Sequence, residues 1–163
     1  MASNERTVVT MDEEQLVVFE LSNESYGVDI AAVNTIIRMQ EITEIPRSPE
    51  FVEGVINLRG SIIPVIDLRQ RFGLSTGDVT KASRIVVVEA SGQLIGMVVD
   101  AVSETLRLQQ DAIEPPSPIV TTVNSEYVRG VGKLEHRLVI LLDLDKVLTS
   151  KEFDMLKTVE KAA

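Results

Sequence analysis

The chain has 163 residues, 44% of them hydrophobic, which suits one compact domain or two small ones with a packed core and no covalent staples. A net charge of -9 argues against a phosphate-backbone partner, which needs clustered Lys and Arg, and 4% aromatics with no Trp leave few stacking platforms for single strands. With Cys at 0 there is no disulfide, thiol nucleophile or thiolate metal site, and no apolar run approaches the roughly 18–20 residues of a membrane span. Met1 to Met11 carries one Arg and no apolar h-region, so a signal peptide is not expected and the chain reads as soluble and cytoplasmic.

Residues 1–13 are polar and read as a flexible tail. Gln15 to Leu21 predicts a first strand, Asn23-Glu24-Ser25 a turn, and Tyr26-Gly27-Val28 the returning strand. Asp29 can cap a short helical segment, because Ile30, Val33 and Ile37 recur at helical spacing, although Ile36 to Ile42 could equally be strand. Pro46 and Pro49 stiffen the loop from Thr43 to Glu50. Phe51 to Leu68 then predicts a β-hairpin turning at Arg59-Gly60-Ser61, and Leu68 to Phe72 a helical turn stopped by Gly73.

Ser75-Thr76-Gly77-Asp78 is a linker by composition, and after it the pattern begins again. Arg84 to Ala90 is a Val-rich strand, Ser91-Gly92 a hairpin turn, and Gln93 to Val99 the return, with Gly96 where Gly27 stands in the first half. Asp100-Ala101-Val102 echoes Asp29 to Val33, Thr105 to Leu108 predicts a strand, and Ile113 to Ile119 is a second proline loop with Pro115, Pro116 and Pro118. Tyr127 to Leu144 repeats the hairpin template without a gap, with Glu135-His136-Arg137 in place of Arg59-Gly60-Ser61. A terminal helix from Lys151 to about Lys161 follows, with Thr149 and Glu152 at capping-box spacing and Phe153, Leu156 and Val159 as its apolar stripe. The repeat divides the sequence into units of about 14–74 and 82–148 followed by the helix at about 150–161. It implies a mainly β chain of two five-stranded β-barrels packed on an apolar shared face, forming a single domain over 14–163.

Catalytic patterns fail one by one. Gly130-Val131-Gly132-Lys133 lacks the first glycine and the final Ser or Thr of a phosphate loop, and no G-x-S-x-G elbow is present. His136 is the only histidine and sits in a hairpin turn, while Asp67, Asp100 and Asp143 each close an apolar strand, as helix caps do. No catalytic, cofactor or metal residue is assigned, and protein partners remain the best use of the surface. Gly54 and Gly130 suit a bulge or close backbone approach. Arg59 is either a solvated turn charge or a planar anchor for a carboxylate, and Val33, Val98 and Val102 are either core or the lining of a groove between barrels. A small-ligand-binding β-barrel or a cryptic enzyme is the alternative reading, and would need a polar concave constellation.

Tyr26 to Ile30, Phe51 to Asp67 with its Gly-Val-Ile-Asn-Leu-Arg-Gly centre, Gly96 to Asp100 and Ile140 to Leu144 together resemble the CheW-type chemotaxis coupling proteins. The resemblance runs from about Gln15 to the terminal helix. It implies two intertwined SH3-like β-barrels and a non-enzymatic adaptor, without cofactor, between the cytoplasmic tip of methyl-accepting chemoreceptors and the regulatory domain of a CheA-type histidine kinase. It further implies recruitment to membrane-associated receptor arrays and weak self-association in rings. By position, Arg59 becomes the receptor-linked N-L-R-G arginine, with Val33, Gly96, Val98 and Val102 lining or shaping a groove for an apolar helical tip. Ile42, Ile45, Ile113, Glu114 and Ile119 become kinase-facing. Thr35 stands where many relatives carry a glutamate to pair with the arginine, and Glu114 where some place a basic residue.

Overall fold

A computed structural model of the protein describes residues 13–74, 77–116 and 125–162. The first four strands are β1 (Glu13–Leu21), β2 (Glu24–Asp29), β3 (Val33–Arg38) and β4 (Val52–Leu58). β5 (Ser61–Ile66) runs into the single helical turn α1 (Leu68–Arg71), and β6 (Arg84–Ala90) and β7 (Gln93–Val99) form the next hairpin. β8 (Ala101–Gln109), the two-residue β9 (Ile113–Glu114), β10 (Val128–Lys133) and β11 (Leu138–Leu142) lead to the terminal helix α2 (Ser150–Ala162). One sheet has the order β8-β1-β2-β11-β10-β9 and the other β3-β6-β7-β5-β4.

The sheets cut across the sequence repeat. The first unit gives β1 and β2 to one sheet and β3, β4 and β5 to the other, while the second unit gives β6 and β7 to the latter and β8 to β11 to the former. Each barrel therefore combines the opening hairpin of one repeat with the remaining strands of its counterpart. Two parallel pairings make the joins, Leu141 opposite Gly27 and Val65 opposite Gly96. The barrels are SH3-like and intertwined. One sheet has six strands rather than five, because Ile113–Glu114 pairs with Val131 and Gly132; its counterpart in the other is the isolated bridge Thr43 to Val55.

Alternation along the central strands serves two cores at once. On β1, Leu16 and Val18 enter the first barrel's interior with Leu108, Val139 and Leu141, while Val17, Phe19 and Leu21 enter the core between the barrels. On β6, Ile85 and Val87 fill the second barrel with Ile56, Ile63 and Val65, while Val86, Val88 and Ala90 face the shared core. Stacked rings of Phe19, Tyr26, Phe72 and Tyr127 cross that shared core with centroids 5.5 to 5.8 Å apart. The Arg71 guanidinium lies 5.4 Å over the Tyr127 ring, grips Glu152 through two hydrogen bonds of 2.7 Å, and donates Nε–H to the Val147 carbonyl.

Glu152 also serves the expected capping box, accepting from the Thr149 N–H at 2.8 Å while its own N–H donates to Thr149 Oγ1. Phe153, Leu156 and Val159 are buried as the stripe predicts, each burial contributing about 1.5–3 kcal/mol. Asp29, Asp67 and Asp143 cap short turns with their carboxylates. Asp100 does not. It accepts from Arg69 and from the Ser22 N–H at 2.9 Å, because β8 begins directly at Ala101 and extends well beyond the expected Thr105 to Leu108. The helical spacing of Ile30, Val33 and Ile37 also yields only one turn, Ile30–Ala32, since Val33 onward pairs with β6, where branched side chains fit a ladder. Glu13, at the end of the expected tail, is the first residue of β1 and accepts from Gln109 at 3.1 Å.

Both suspected glycines lie at register shifts, Gly54 against Val52 and Gly130 against Val128. A Cβ on Gly54 would strike the Thr43 carbonyl, whereas one on Gly60 would meet open space at a φ of 88°. Gly54→Ala should therefore cost about 3 kcal/mol from overpacking, and Gly60→Ala only about 1 kcal/mol from backbone strain. Equal losses in urea titrations would remove the close approach at Gly54 as the reason for its glycine.

Candidate interaction surfaces

Leu58 pairs with Ser61, so the β4–β5 hairpin closes over two residues, Arg59 with φ 54° and Gly60 with φ 88°. Positive φ at both positions is a type I′ turn, whose first position favours Asn, Asp or Gly. The Gly60 N–H donates to Asn57 Oδ1 at 2.9 Å and pins the turn. An arginine in this left-handed conformation carries about 1–2 kcal/mol of strain. The other two-residue hairpins, Ser22-Asn23 and Ser91-Gly92, likewise have positive φ at both positions, with a small serine rather than a long charged side chain at the first. Arg59 is exposed and, among the described residues, makes no hydrogen bond or ion pair. Thr35 is half-buried opposite Val87 on β3, at the far edge of the sheet from β4.

The other expected receptor residues occupy three settings. Val33 and Val102 are half-buried at the starts of β3 and β8, pseudo-equivalent places where the chain crosses between sheets, and both pack on the shared core. Val98 is half-buried and packs on the second barrel's interior while lining an outer cleft. Gly96 is buried two residues away on the same face of β7, where a Cβ would stand 3.0 Å from Ile85 Cγ2 and 3.3 Å from Val65 Cγ2. Its hydrogen is what the interior has room for, so it shapes the sheet from within rather than presenting a surface.

Ile42 and Ile45 lie half-buried in the first proline loop, Ile42 on the second barrel's interior and Ile45 on the shared core. Ile113 is half-buried on the first barrel's interior, 2.8 Å from a Cβ built on Gly130. Glu114 is exposed and pairs with Lys133 at 2.9 Å. Ile119 lies outside the described residues. The second hairpin closes over four residues, Leu134 to Arg137, and His136 is exposed there.

Clefts of different character mark the surface of the described residues. An apolar one of about 270 Å³ separates the Ile45–Pro49 loop from α2. A polar one of about 130 Å³ is lined by Glu53, Asp67, Arg69, Asp78, Val98 and Asp100. Two acidic hollows adjoin Asp29, Glu89 and Asp145. In the polar cleft, Arg69 spans Asp100 and Ser22 Oγ, tying α1 to the β1–β2 turn and the β7–β8 crossing. Among the described residues no group of His, Asp and Glu has the arrangement of a metal site, and no helix is long and apolar enough to cross a membrane.

Residues 15–152 match the family model of the CheW-like domain. The chain belongs to the CheW-like family. The chemotaxis protein CheW of Klebsiella aerogenes is 36% identical over 91% of the chain and 90% of its own length. That of Treponema pallidum is 33% identical, with 87% and 86% covered. The crystal structure of the scaffolding protein TtCheW from Thermoanaerobacter tengcongensis superposes with a TM-score of 0.78 at 44% identity, over 85% of this chain and 90% of that one. Within this CheW-like fold the hairpin arginine was legible from the Asn57-Leu58-Arg59-Gly60 string. The strain at Arg59 and the cleft beside α2 were not, because both depend on backbone angles and on contacts between segments far apart in sequence.

Two outcomes follow from this geometry. Arg59→Asn should raise the unfolding free energy by about 1 kcal/mol, because asparagine suits the left-handed position; a loss would show that the guanidinium holds the fold. Burial first, and the Asp67 carboxylate second, raise the Glu53 pKa above 4.5. The folded chain then holds that proton to higher pH than the unfolded one, so ionisation of Glu53 lowers stability as pH rises past 4.5. Glu53→Gln should raise the thermal midpoint at pH 7, with the gain shrinking below pH 4.5, and a gain independent of pH would remove this explanation.

Proposed function

We propose that the chain is a chemosensory adaptor, without chemistry of its own, that binds the cytoplasmic tip of methyl-accepting chemoreceptors and the regulatory domain of a CheA-type histidine kinase. The observation that carries this reading is Arg59, an exposed guanidinium with no partner among the described residues, held in a strained turn within a CheW-like chain. Strain retained at a surface position points to use of that position, since a cheaper residue would make the same turn. Arg59 offers a planar donor set for carboxylate or backbone carbonyl groups of the receptor. Val33, Val98 and Val102 supply partly exposed apolar contacts for a helical tip, with Gly96 setting the shape of the sheet beside Val98.

Ile42, Ile45, Ile113, Glu114 and Ile119 mark the kinase-facing ends, one on each proline loop. Pseudo-equivalent ends on two intertwined barrels allow similar partners to be bound on opposite sides, which gives alternating rings and weak self-association. On this reading the protein is cytoplasmic and is drawn to membrane arrays through the receptors. A ligand-binding barrel is less well supported, because Leu16, Val18, Val139 and Leu141 fill one interior and Ile56, Ile63, Ile85 and Val87 the other.

Capture of a receptor cytoplasmic fragment and of the kinase tests the proposal. Both should be held at micromolar concentration, and failure to hold either ends it. Arg59→Ala should weaken receptor capture while kinase capture and the thermal midpoint stay nearly unchanged; a large fall in the midpoint would instead make Arg59 a structural anchor.

A further inference from the structure

A second arginine shares the backbone oddity of Arg59. Ile45-Pro46-Arg47-Ser48 is a tight turn closed by the Ser48 N–H donating to the Ile45 carbonyl at 3.2 Å. Pro46 fixes φ at the second position, and Arg47 at the third has φ 64°, the position where a type II turn selects glycine or asparagine. Arg47 and Arg59 are the only charged residues with positive φ among those described. Arg47 is exposed and, like Arg59, has no hydrogen bond or ion pair among the described residues.

Arg47 stands at the rim of the 270 Å³ cleft between its loop and α2. Ile45, Pro46 and Pro49 form one wall, and Met155 and Val159 the other. Among the described residues no side-chain carboxylate lines it. The polar cleft and the two hollows described above each carry several, such as Glu53, Asp67 and Asp100 in one and Asp29, Glu89 and Asp145 in the others. In a chain of net charge -9, an apolar cleft lined, among the described residues, by one guanidinium and no side-chain carboxylate stands apart from the acidic clefts elsewhere on the surface. It complements a segment that presents one large aliphatic or aromatic side chain with an Asp or Glu within a turn of it.

We propose that this cleft docks such an acidic, apolar segment of the kinase, with Arg47 as the carboxylate anchor. The choice of the kinase over the receptor rests on the coupling function proposed above, in which this proline loop faces the kinase. The floor is already formed by packed side chains, so binding requires little reorganisation of the adaptor. Among the described residues the rim charge has no internal contact to break before it pairs.

The test compares capture of the intact kinase and of the receptor fragment by the full chain and its variants. Arg47→Glu, which reverses the rim charge, and Thr158→Glu, which sets a carboxylate on the cleft wall from an exposed position on α2, should each weaken kinase capture about tenfold or more. Arg47→Lys should retain part of it, and receptor capture and the thermal midpoint should not move. Unchanged kinase capture by Arg47→Glu, or loss of receptor capture in its place, overturns this site while leaving the coupling function standing. A parent chain that captures neither protein overturns both.

Discussion

Burial on both faces of the central strands is the constraint on which the rest of this structure depends. A strand with one wet face can slip by an even number of residues at modest cost, but β1, β6 and β11 each feed a barrel interior with one set of side chains and the shared core with the other. A slip of one residue would exchange Leu16 and Val18 with Val17 and Phe19, placing each set in a space shaped for its neighbour. The exchange of hairpins between repeats enforces this arrangement, because neither barrel closes without strands from both halves. Each sheet is thus built from both halves of a sequence that reads as two units.

Rigidity at the centre bears on the ends. The aromatic row from Phe19 to Tyr127 ends at Arg71, and Arg71 ends at the cap of α2. Glu152 answers at once to the guanidinium and to the Thr149 N–H, so the start of the helix is fixed to the shared core by charge as well as by Phe153 and Leu156. Arg69 makes a second brace at Asp100, where the chain crosses from one sheet to the other. The helix wall and the crossing segments are thus held by half-buried charge-assisted hydrogen bonds, which resist repacking more than apolar contact alone.

An adaptor needs surfaces whose energy is realised only on assembly. Arg47 and Arg59 meet that description, since each occupies a turn position where glycine or asparagine would be cheaper and each leaves its guanidinium unspent among the described residues. Both lie in the first repeat. In the second, Gly60 and its neighbours are replaced by the longer Leu134–Arg137 loop, and Arg137 is drawn into an ion pair with Glu104. The duplication therefore supplied a symmetric scaffold, and the turns broke the symmetry.

Much of this was fixed locally and could be read from the chain. Alternating apolar runs, the capping box at Thr149 and Glu152, the glycines at the bulges and the resemblance around Asn57 to Gly60 all reflect interactions between residues close in sequence. The segment after Asp29 was ambiguous because its spacing suits a helix while its branched side chains suit a strand, and pairing with β6 decided between them. Which hairpin joined which barrel, the inward aim of Gly96, the departure of Asp100 from its capping role and the apolar cleft beside α2 were settled only by tertiary contact. Each depends on partners dozens of residues away, and local sequence patterns carry no record of who those partners are.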